Sequence, residues 1–182
     1  MDLLRIRVAA GSGSRIGELR ALRIGPSKTS SSWSPVDSSL TIQTSIFRNV
    51  EQSPKTDSGH RTVEIAKPLN DLVKDFVTGR CSKPGDFLFA NANTKPMDLT
   101  TLREHLDARL PGRGFHSIRR FRVTHLASQN CPPSIRRYWI GHTTSDINER
   151  YNHLAENVAL RKEWAERAGL GFSLAQPKDV NA

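Results

Sequence analysis

One segment with the apolar periodicity of an amphipathic α-helix constrains the fold more than any other feature of this sequence. After Pro68, apolar residues recur three and four positions apart, the spacing that places side chains on one face of an α-helix. These residues are Leu69, Leu72, Val73, Phe76 and Val77. Because proline suits the first turn of a helix and glycine its end, the helix is predicted to run from about Pro68 to Gly79. Its apolar face has to pack against other elements, so we expect a layered core.

The segment before this helix has the character of a small sheet. Residues 40–44 and 61–65 alternate between apolar and polar types and are rich in β-branched residues, with a turn signal at 57–59. The two runs are predicted to pair in an antiparallel sheet. Residues 25–39 are rich in serine and proline, and they are predicted to form a loop.

Further helices are predicted along the chain, both before and after the segments that form the sheet. A short helix begins near Ser14, and a stripe of leucines follows Asp98. From His116 onward the chain is mostly helical, with breaks at 131–133 and around Gly141. A chain of 182 residues is long enough for one domain with a sizeable core. The order of elements predicts a mainly α fold with a small antiparallel β-sheet, an α+β class.

The charge balance narrows the choice of partner. The chain has 27 Lys and Arg against 18 Asp and Glu, a net charge of +9, and this excess favours a polyanion because neutralised phosphates release counterions. No run approaches the roughly 20 apolar residues of a membrane span, and no continuous apolar segment follows Met1. We therefore expect no membrane partner and no signal peptide. Two cysteines are too few for a disulfide framework, so both are expected free in the cytoplasm.

Four separated segments carry residue types suited to phosphate chemistry. In chain order they are Gly13-Ser14-Arg15-Ile16-Gly17-Glu18-Leu19, Pro54-Lys55-Thr56, His116-Ser117-Ile118-Arg119, and Gly141-His142 with Tyr151 nine residues on. Each is short enough to occur by chance, so the signal is their joint occurrence in this order. Together they resemble the tyrosine recombinase (phage integrase) family. Its catalytic signature is an arginine near G-x-R-x-x-E-L, a β-turn lysine, H-x-x-R, L-G-H, and a tyrosine followed by x-His.

The resemblance implies a set of catalytic residues and a domain plan. The catalytic residues are Arg15, Lys55, His116, Arg119, His142 and the nucleophile Tyr151. The domain would be an integrase-like catalytic domain over 1–168, followed by a disordered or frayed tail over 169–182. Family members carry a separate DNA-binding domain before the first arginine, whereas fourteen residues precede Arg15 here. The resemblance therefore implies an N-terminally truncated catalytic domain.

Phosphodiester chemistry gives an independent reason for these residue types. Two forked guanidiniums, Arg15 and Arg119, can clamp the charge that develops on the non-bridging oxygens. His116 can take the tyrosine proton, since an imidazole titrates near working pH. Lys55 can protonate the leaving 5′ oxygen, and His142 can donate a further hydrogen bond. A tyrosine at its ordinary pKa is a poor nucleophile and needs such neighbours.

The expected reaction is site-specific DNA recombination or integration through a 3′-phosphotyrosyl bond. Neither metal nor ATP is implied, and the sequence has no carboxylate cluster of the kind that two-metal nucleases use. The expected partner is double-stranded DNA, bound in the cytoplasm at the nucleoid by a homotetramer. A DNA-binding remnant that cannot recombine alone is the alternative, and a topoisomerase-like relaxing activity is a weaker one.

Several readings from packing stand beside the catalytic one. His116 and Arg119 can be an ordinary surface pair, with Ile118, Phe121 and Leu126 supplying the buried stripe of their helix. Trp139 and Ile140 are expected to anchor the Gly141-His142 turn in the core, and Glu18 is expected to pair with a neighbouring arginine. Residues 154–168 either pack on their own domain or exchange between subunits. A zinc site is disfavoured because its ligand spacing would be unusual; it would use His116, His125, His142 and His153.

Overall fold

The structure, a computed structural model, describes residues 2–54, 57–142 and 153–174. Within these ranges the chain forms seven α-helices, six short β-strands and a 3₁₀ turn at Asp57–Gly59. The helices are α1 (Asp2–Ser12), α2 (Ile16–Ala21), α3 (Lys67–Gly79), α4 (Leu99–Asp107), α5 (Phe115–Ser128), α6 (Pro133–Ile140) and α7 (Val158–Ala168). The strands are β1 (Arg23–Ile24), β2 (Ser32–Ser34), β3 (Ser39–Ile42), β4 (Ser45–Phe47), β5 (Val50–Gln52) and β6 (Arg61–Glu64).

The mainly α class with a small sheet is confirmed, with one correction to the sheet. Four strands follow the order β1-β2-β3-β6, and β4 pairs with β5 in a separate hairpin. The pair β3–β6 is antiparallel, as predicted; β2 also pairs antiparallel with β3, whereas β1 runs parallel to β2. The sheet is therefore mixed, because the loop 25–31 returns the chain to the start of β1 before β2 begins.

The periodic helices lie close to their predicted bounds. The helix predicted from Pro68 to Gly79 is α3, and Leu69 and Val73 on its apolar face are buried. Asp98 caps α4, since its carboxylate accepts a hydrogen bond from the Thr100 amide at 2.7 Å. The breaks predicted after His116 separate α5 from α6 and end α6 at Gly141.

Three elements in the first 40 residues were not predicted: α1, β1 and β2. The helix α1 is buried on almost every side, including Val8 and Ala9, so its apolar residues show no contrast with a polar face. The loop prediction over 25–39 is wrong at β2, where Trp33 is buried and donates to Asn70 Oδ1 at 2.9 Å. A serine-rich composition therefore concealed a strand that one tryptophan anchors in the core.

The core surrounds α1, which packs against α3, α4 and α5. Trp139 and Ile140 of α6 are buried in it, as expected. The helix α7 packs against β6 of the same chain. Residues 169–174, expected to be frayed, instead pack inward: Leu170 is buried, and Arg122 donates to the Gly169 carbonyl at 2.6 Å. Across the described residues, no helix combines the length and apolar character that crossing a membrane requires.

Candidate active site

Arg15 lies directly before the first turn of α2, where its side chain is 49% exposed. Its amide donates to Glu18 Oε2 at 2.8 Å and its guanidinium to Glu18 Oε1 at 2.9 Å. The turn that presents it depends on Gly13, which has a φ of +70°. A Cβ at Gly13 would lie 2.6 Å from Cδ1 of Ile140, so the glycine allows this turn to approach α6.

Arg119 is buried on α5 and joins that turn to the end of α6. Its guanidinium donates to the Gly13 carbonyl at 2.8 Å and also to the Ile140 carbonyl. Burial lowers its pKa to about 10; the positive charges of Arg15 and Arg61 act in the same direction, and Glu18 opposes them. The group still carries its charge at neutral pH, and it retains further N–H donors for a ligand.

His142 follows Gly141, which ends α6 with a φ of +67°. A Cβ at Gly141 would lie 2.9 Å from Nη1 of Arg61 and 3.0 Å from the Ser58 carbonyl oxygen, so the glycine allows tight packing behind the histidine. Desolvation lowers the pKa of His142, and the charges of Arg119, Arg15 and Arg61 lower it further. The exposed imidazole is therefore mostly neutral at pH 7 and presents one N–H donor.

His116 is exposed on the first turn of α5, one turn before Arg119. It lines an open cleft of about 820 Å³ together with Ile16, the residue after Arg15. The structure thus brings Arg15, Arg119 and His142 within electrostatic reach of one another, with His116 along the adjoining cleft.

Lys55 and Tyr151 lie outside the described residues, but residues close to each of them in the sequence line a pocket together with His142. A pocket of about 360 Å³ is lined by His142, by Ser58 and His60, and by His153. Ser58 is three positions after Lys55 in the sequence, and His153 is two positions after Tyr151. The catalytic roles of Lys55 and Tyr151 therefore remain predictions. The capping residues expected before Tyr151, Asp146 and Glu149, also fall outside the described ranges.

Sequence reasoning missed Arg61, which supports the site from behind. Its side chain is 0% exposed and pairs with Glu18 across 2.8 Å, while its Nε donates to the Trp139 carbonyl at 2.7 Å. Burial by itself would raise the pKa of Glu18, but the hydrogen bonds and charge of Arg61, with those of Arg15, outweigh it and lower that pKa. The expected pairing of Glu18 with an arginine is confirmed. Arg61 shares its strand face with the buried Val63, and an arginine on the apolar face was the available signal.

A second buried network ties α7 to the same region. Trp139 donates from Nε1 to Glu64 Oε2 at 2.8 Å, and Arg161 pairs with Glu64 Oε1 at 2.8 Å. Arg161 also donates to the carbonyl of Leu154, three positions after Tyr151. These bonds fix α7 on β6 and hold the segment that begins at His153.

The predicted buried stripe on α5 needs one correction. Ile118 and Leu126 are buried, but Phe121 is 39% exposed. The helix instead turns Arg119 and Arg122 inward, where their guanidiniums reach backbone carbonyls. Burial lowers the pKa of Arg122 to about 10 as well.

No group of three or more metal-ligating side chains in 2–54, 57–142 and 153–174 is arranged to hold an ion. The zinc alternative therefore finds no ligand set in that part of the chain. His125, one of its four members, is bonded through Nε2 to the Ala168 carbonyl at 2.8 Å.

Known proteins support the relationship that the motifs indicated. The profile of the phage integrase family matches residues 1–157. The chain belongs to the phage integrase family. Similar solved structures include the Tn1549 transposon integrase in complex with transposon right-end DNA, at 22% identity and a TM-score of 0.59, covering 87% of this chain and 56% of that one. The same integrase in complex with a circular intermediate DNA gives 19% identity and a TM-score of 0.60, covering 90% and 52%.

A further complex of that integrase with circular intermediate DNA matches at 20% identity and a TM-score of 0.57, covering 90% of this chain and 54% of the other. At these identities the likeness establishes the fold, and this integrase-family chain spans little more than half the length of the structures it matches. No curated protein matches it.

Proposed function

We propose that this integrase-family chain cleaves and rejoins double-stranded DNA through a 3′-phosphotyrosyl intermediate at Tyr151. The observation that carries the proposal is the gathering of Arg15, Arg119 and His142 at one place, where burial and, after it, the neighbouring arginine charges lower the pKa of Arg119 and of His142. Like charges held together are costly unless an anion joins them. A DNA phosphate supplies that anion.

The reaction needs two proton transfers and one exchange of bonds at phosphorus. The Tyr151 oxygen attacks the phosphate and its proton passes to His116; the bond from phosphorus to the 5′ oxygen breaks, and Lys55 gives that oxygen a proton. Arg15 and Arg119 hold the non-bridging oxygens, and His142 donates a hydrogen bond. Attack by a second strand's 5′ hydroxyl reverses the steps and joins the strands. The side chain of Arg15 is 49% exposed, whereas Arg119 is buried. This difference suits a pair of arginines that is open to a ligand on one side.

The wider biological setting belongs to the same proposal. We infer that residues 1–168 form the catalytic unit and that four copies act on two duplexes at the nucleoid. The net charge of +9 supports a DNA partner. The alternative is a remnant that binds DNA without completing recombination.

A covalent-trapping assay separates the two functions. The full chain is incubated with a pool of 5′-labelled, nicked duplexes randomised around the nick, so that cleavage releases a short fragment and traps the enzyme. We expect a labelled adduct on denaturing gels that persists in EDTA and is lost in Tyr151→Phe. Retained DNA binding with no adduct from the wild type would favour the remnant, and an adduct that survives in Tyr151→Phe would refute the proposed nucleophile.

A further inference from the structure

A groove beside α1 and α5 adjoins the cleft that His116 lines, and Arg113 lines both. It encloses about 630 Å³, and none of Arg15, His116, Arg119 or His142 lines it. Its floor is apolar and is formed by Leu3, Ile6, Ala10, Leu110, Ile118 and Phe121. Leu110 is 42% exposed and Phe121 is 39% exposed. Two large apolar side chains that the fold leaves in water therefore meet in one groove, which is a feature of interaction sites.

The shape of the floor follows from two helices packed side by side. Leu3, Ile6 and Ala10 lie along one stripe of α1, and Ile118 and Phe121 lie along one stripe of α5. Such a pair leaves a trough whose ridges accept a third helix at an axial distance of about 8–10 Å. The α1 stripe covers seven residue steps, or about 10 Å at 1.5 Å per residue, which matches about two turns of a helix.

The scarcity of hydrogen-bonding groups favours a helix over an extended peptide. Among the residues that line the groove, the polar side chains are arginines and serines. Arginine only donates, which leaves the two serine hydroxyls as the side-chain acceptors, so most amides of an extended segment would lose water without gaining partners. A helix satisfies its own backbone and presents only side chains to the groove.

The positive charge at the rim of the groove favours a helix with acidic residues along one flank. Arg109 and Arg113 line the groove, both are exposed, and no carboxylate lines it with them. Across the described ranges, neither arginine forms an ion pair. Carboxylates on an incoming helix can pair with both guanidiniums in bidentate fashion.

We propose that this groove binds an amphipathic α-helix with an apolar face and an acidic flank, supplied by a second protein. The apolar face fills the trough between α1 and α5, and the acidic flank pairs with Arg109 and Arg113. The groove shares Arg113 with the cleft that His116 lines, but none of the four described active-site side chains lines the groove, so binding there does not require any of them.

The test uses a designed peptide probe and fluorescence anisotropy with the full chain. A labelled 15-residue helical peptide carries leucines at the spacing of one helix face and glutamates on one flank; its control replaces the glutamates by lysines. We expect the acidic peptide to bind at least tenfold more tightly than the basic one. Equal affinities for the two peptides would overturn the proposal.

Matched variants separate the apolar floor from the charged rim. Phe121→Ser is expected to weaken the acidic peptide about tenfold, whereas Val158→Ser, at a similarly exposed position outside the groove, leaves it unchanged. The Arg109→Glu, Arg113→Glu double variant is expected to prefer the basic peptide, and Arg120→Glu, on α5 outside the groove, is not. Thermal denaturation checks that all variants fold.

Other occupants give different results in the same experiments. If deletion of residues 175–182 tightens peptide binding tenfold, the chain's own end occupies the groove and the proposal fails. Self-association in sedimentation that Phe121→Ser abolishes would assign the groove to a second copy. A loss of DNA affinity in the Arg109→Glu, Arg113→Glu variant with unchanged peptide binding would assign the rim to DNA.

Discussion

Two of the buried arginines, Arg119 and Arg161, have different electrostatic surroundings. Arg161 lies against the Glu64 carboxylate at 2.8 Å, so its charge is balanced inside the protein. Arg119 donates to the carbonyls of Gly13 and Ile140; the cations of Arg15 and Arg61 act against its charge, and Glu18 offsets them in part. The comparison teaches that Arg161 has its counter-ion inside the fold, whereas the charge of Arg119 is only partly balanced there, and we propose that an external anion completes the balance.

The largest expected effect comes from breaking the balanced pair. Arg161→Met leaves Glu64 buried without its cation, which costs about 3–5 kcal/mol of unfolding free energy for a pair of this kind. Urea titration followed by tryptophan fluorescence measures the loss. The Glu64→Gln, Arg161→Met double variant removes both charges and is expected to recover most of the stability. A double variant no more stable than the single one would contradict the role of Arg161 as a counter-ion.

Removing the unbalanced arginine is expected to affect catalysis beyond its effect on stability. Arg119→Ala should slow covalent adduct formation about 10²–10³-fold, as the loss of one oxyanion donor does in other enzymes. Arg122→Ala is the matched control, since Arg122 is also buried and also bonded to a carbonyl but lies outside the site. Adduct rates are corrected for the folded fraction. Equal slowing in both variants would mean that Arg119 has only a structural role.

Glu18 is a buried carboxylate that pairs with the buried Arg61 and with Arg15 of the candidate site, so its titration tests how much these ion pairs stabilise the fold. Its pKa is lowered from 4.5 in the folded protein, so its stabilising contribution is present above that value and is lost as the pH falls through the folded pKa. Wild-type stability should therefore fall more steeply below pH 4.5 than that of Glu18→Gln. Thermal melts at a series of pH values measure the difference, and parallel curves would argue against this linkage.

The smallest expected effect concerns His142. Its pKa lies below 6.5, so the imidazole gains its charge only as the pH falls beneath that value. Protonation beside a bound phosphate adds an attraction of about 1 kcal/mol at 4 Å in water, roughly a fivefold gain in DNA affinity. Anisotropy titrations should detect this gain in the wild type and lose it in His142→Gln. His60→Gln, in the same pocket, is the control and should retain the gain.

The sequence predicted elements that have a local apolar periodicity, and it did not predict elements and ion pairs that depend on residues far away in the chain. The helix α3 could be predicted because its apolar face contrasts with its polar one, and α1 could not because it is buried on nearly every side. The pairs Arg61–Glu18 and Arg161–Glu64 span 43 and 97 positions, so no local pattern encodes them. The family motifs supplied Arg15, His116, Arg119 and His142, whereas the roles of all six site residues, Lys55 and Tyr151 included, remain predictions.

The carbonyl bonds of Arg119 make the candidate anion site a product of folding between distant segments. They join segments 106 and 21 positions away from it along the chain. A growing polypeptide that has emerged only as far as α5 lacks the Ile140 carbonyl and His142, so its cations are not yet assembled. The candidate site therefore assembles only once α6 and Gly141 have been synthesised, and a chain that stops at α5 cannot form it.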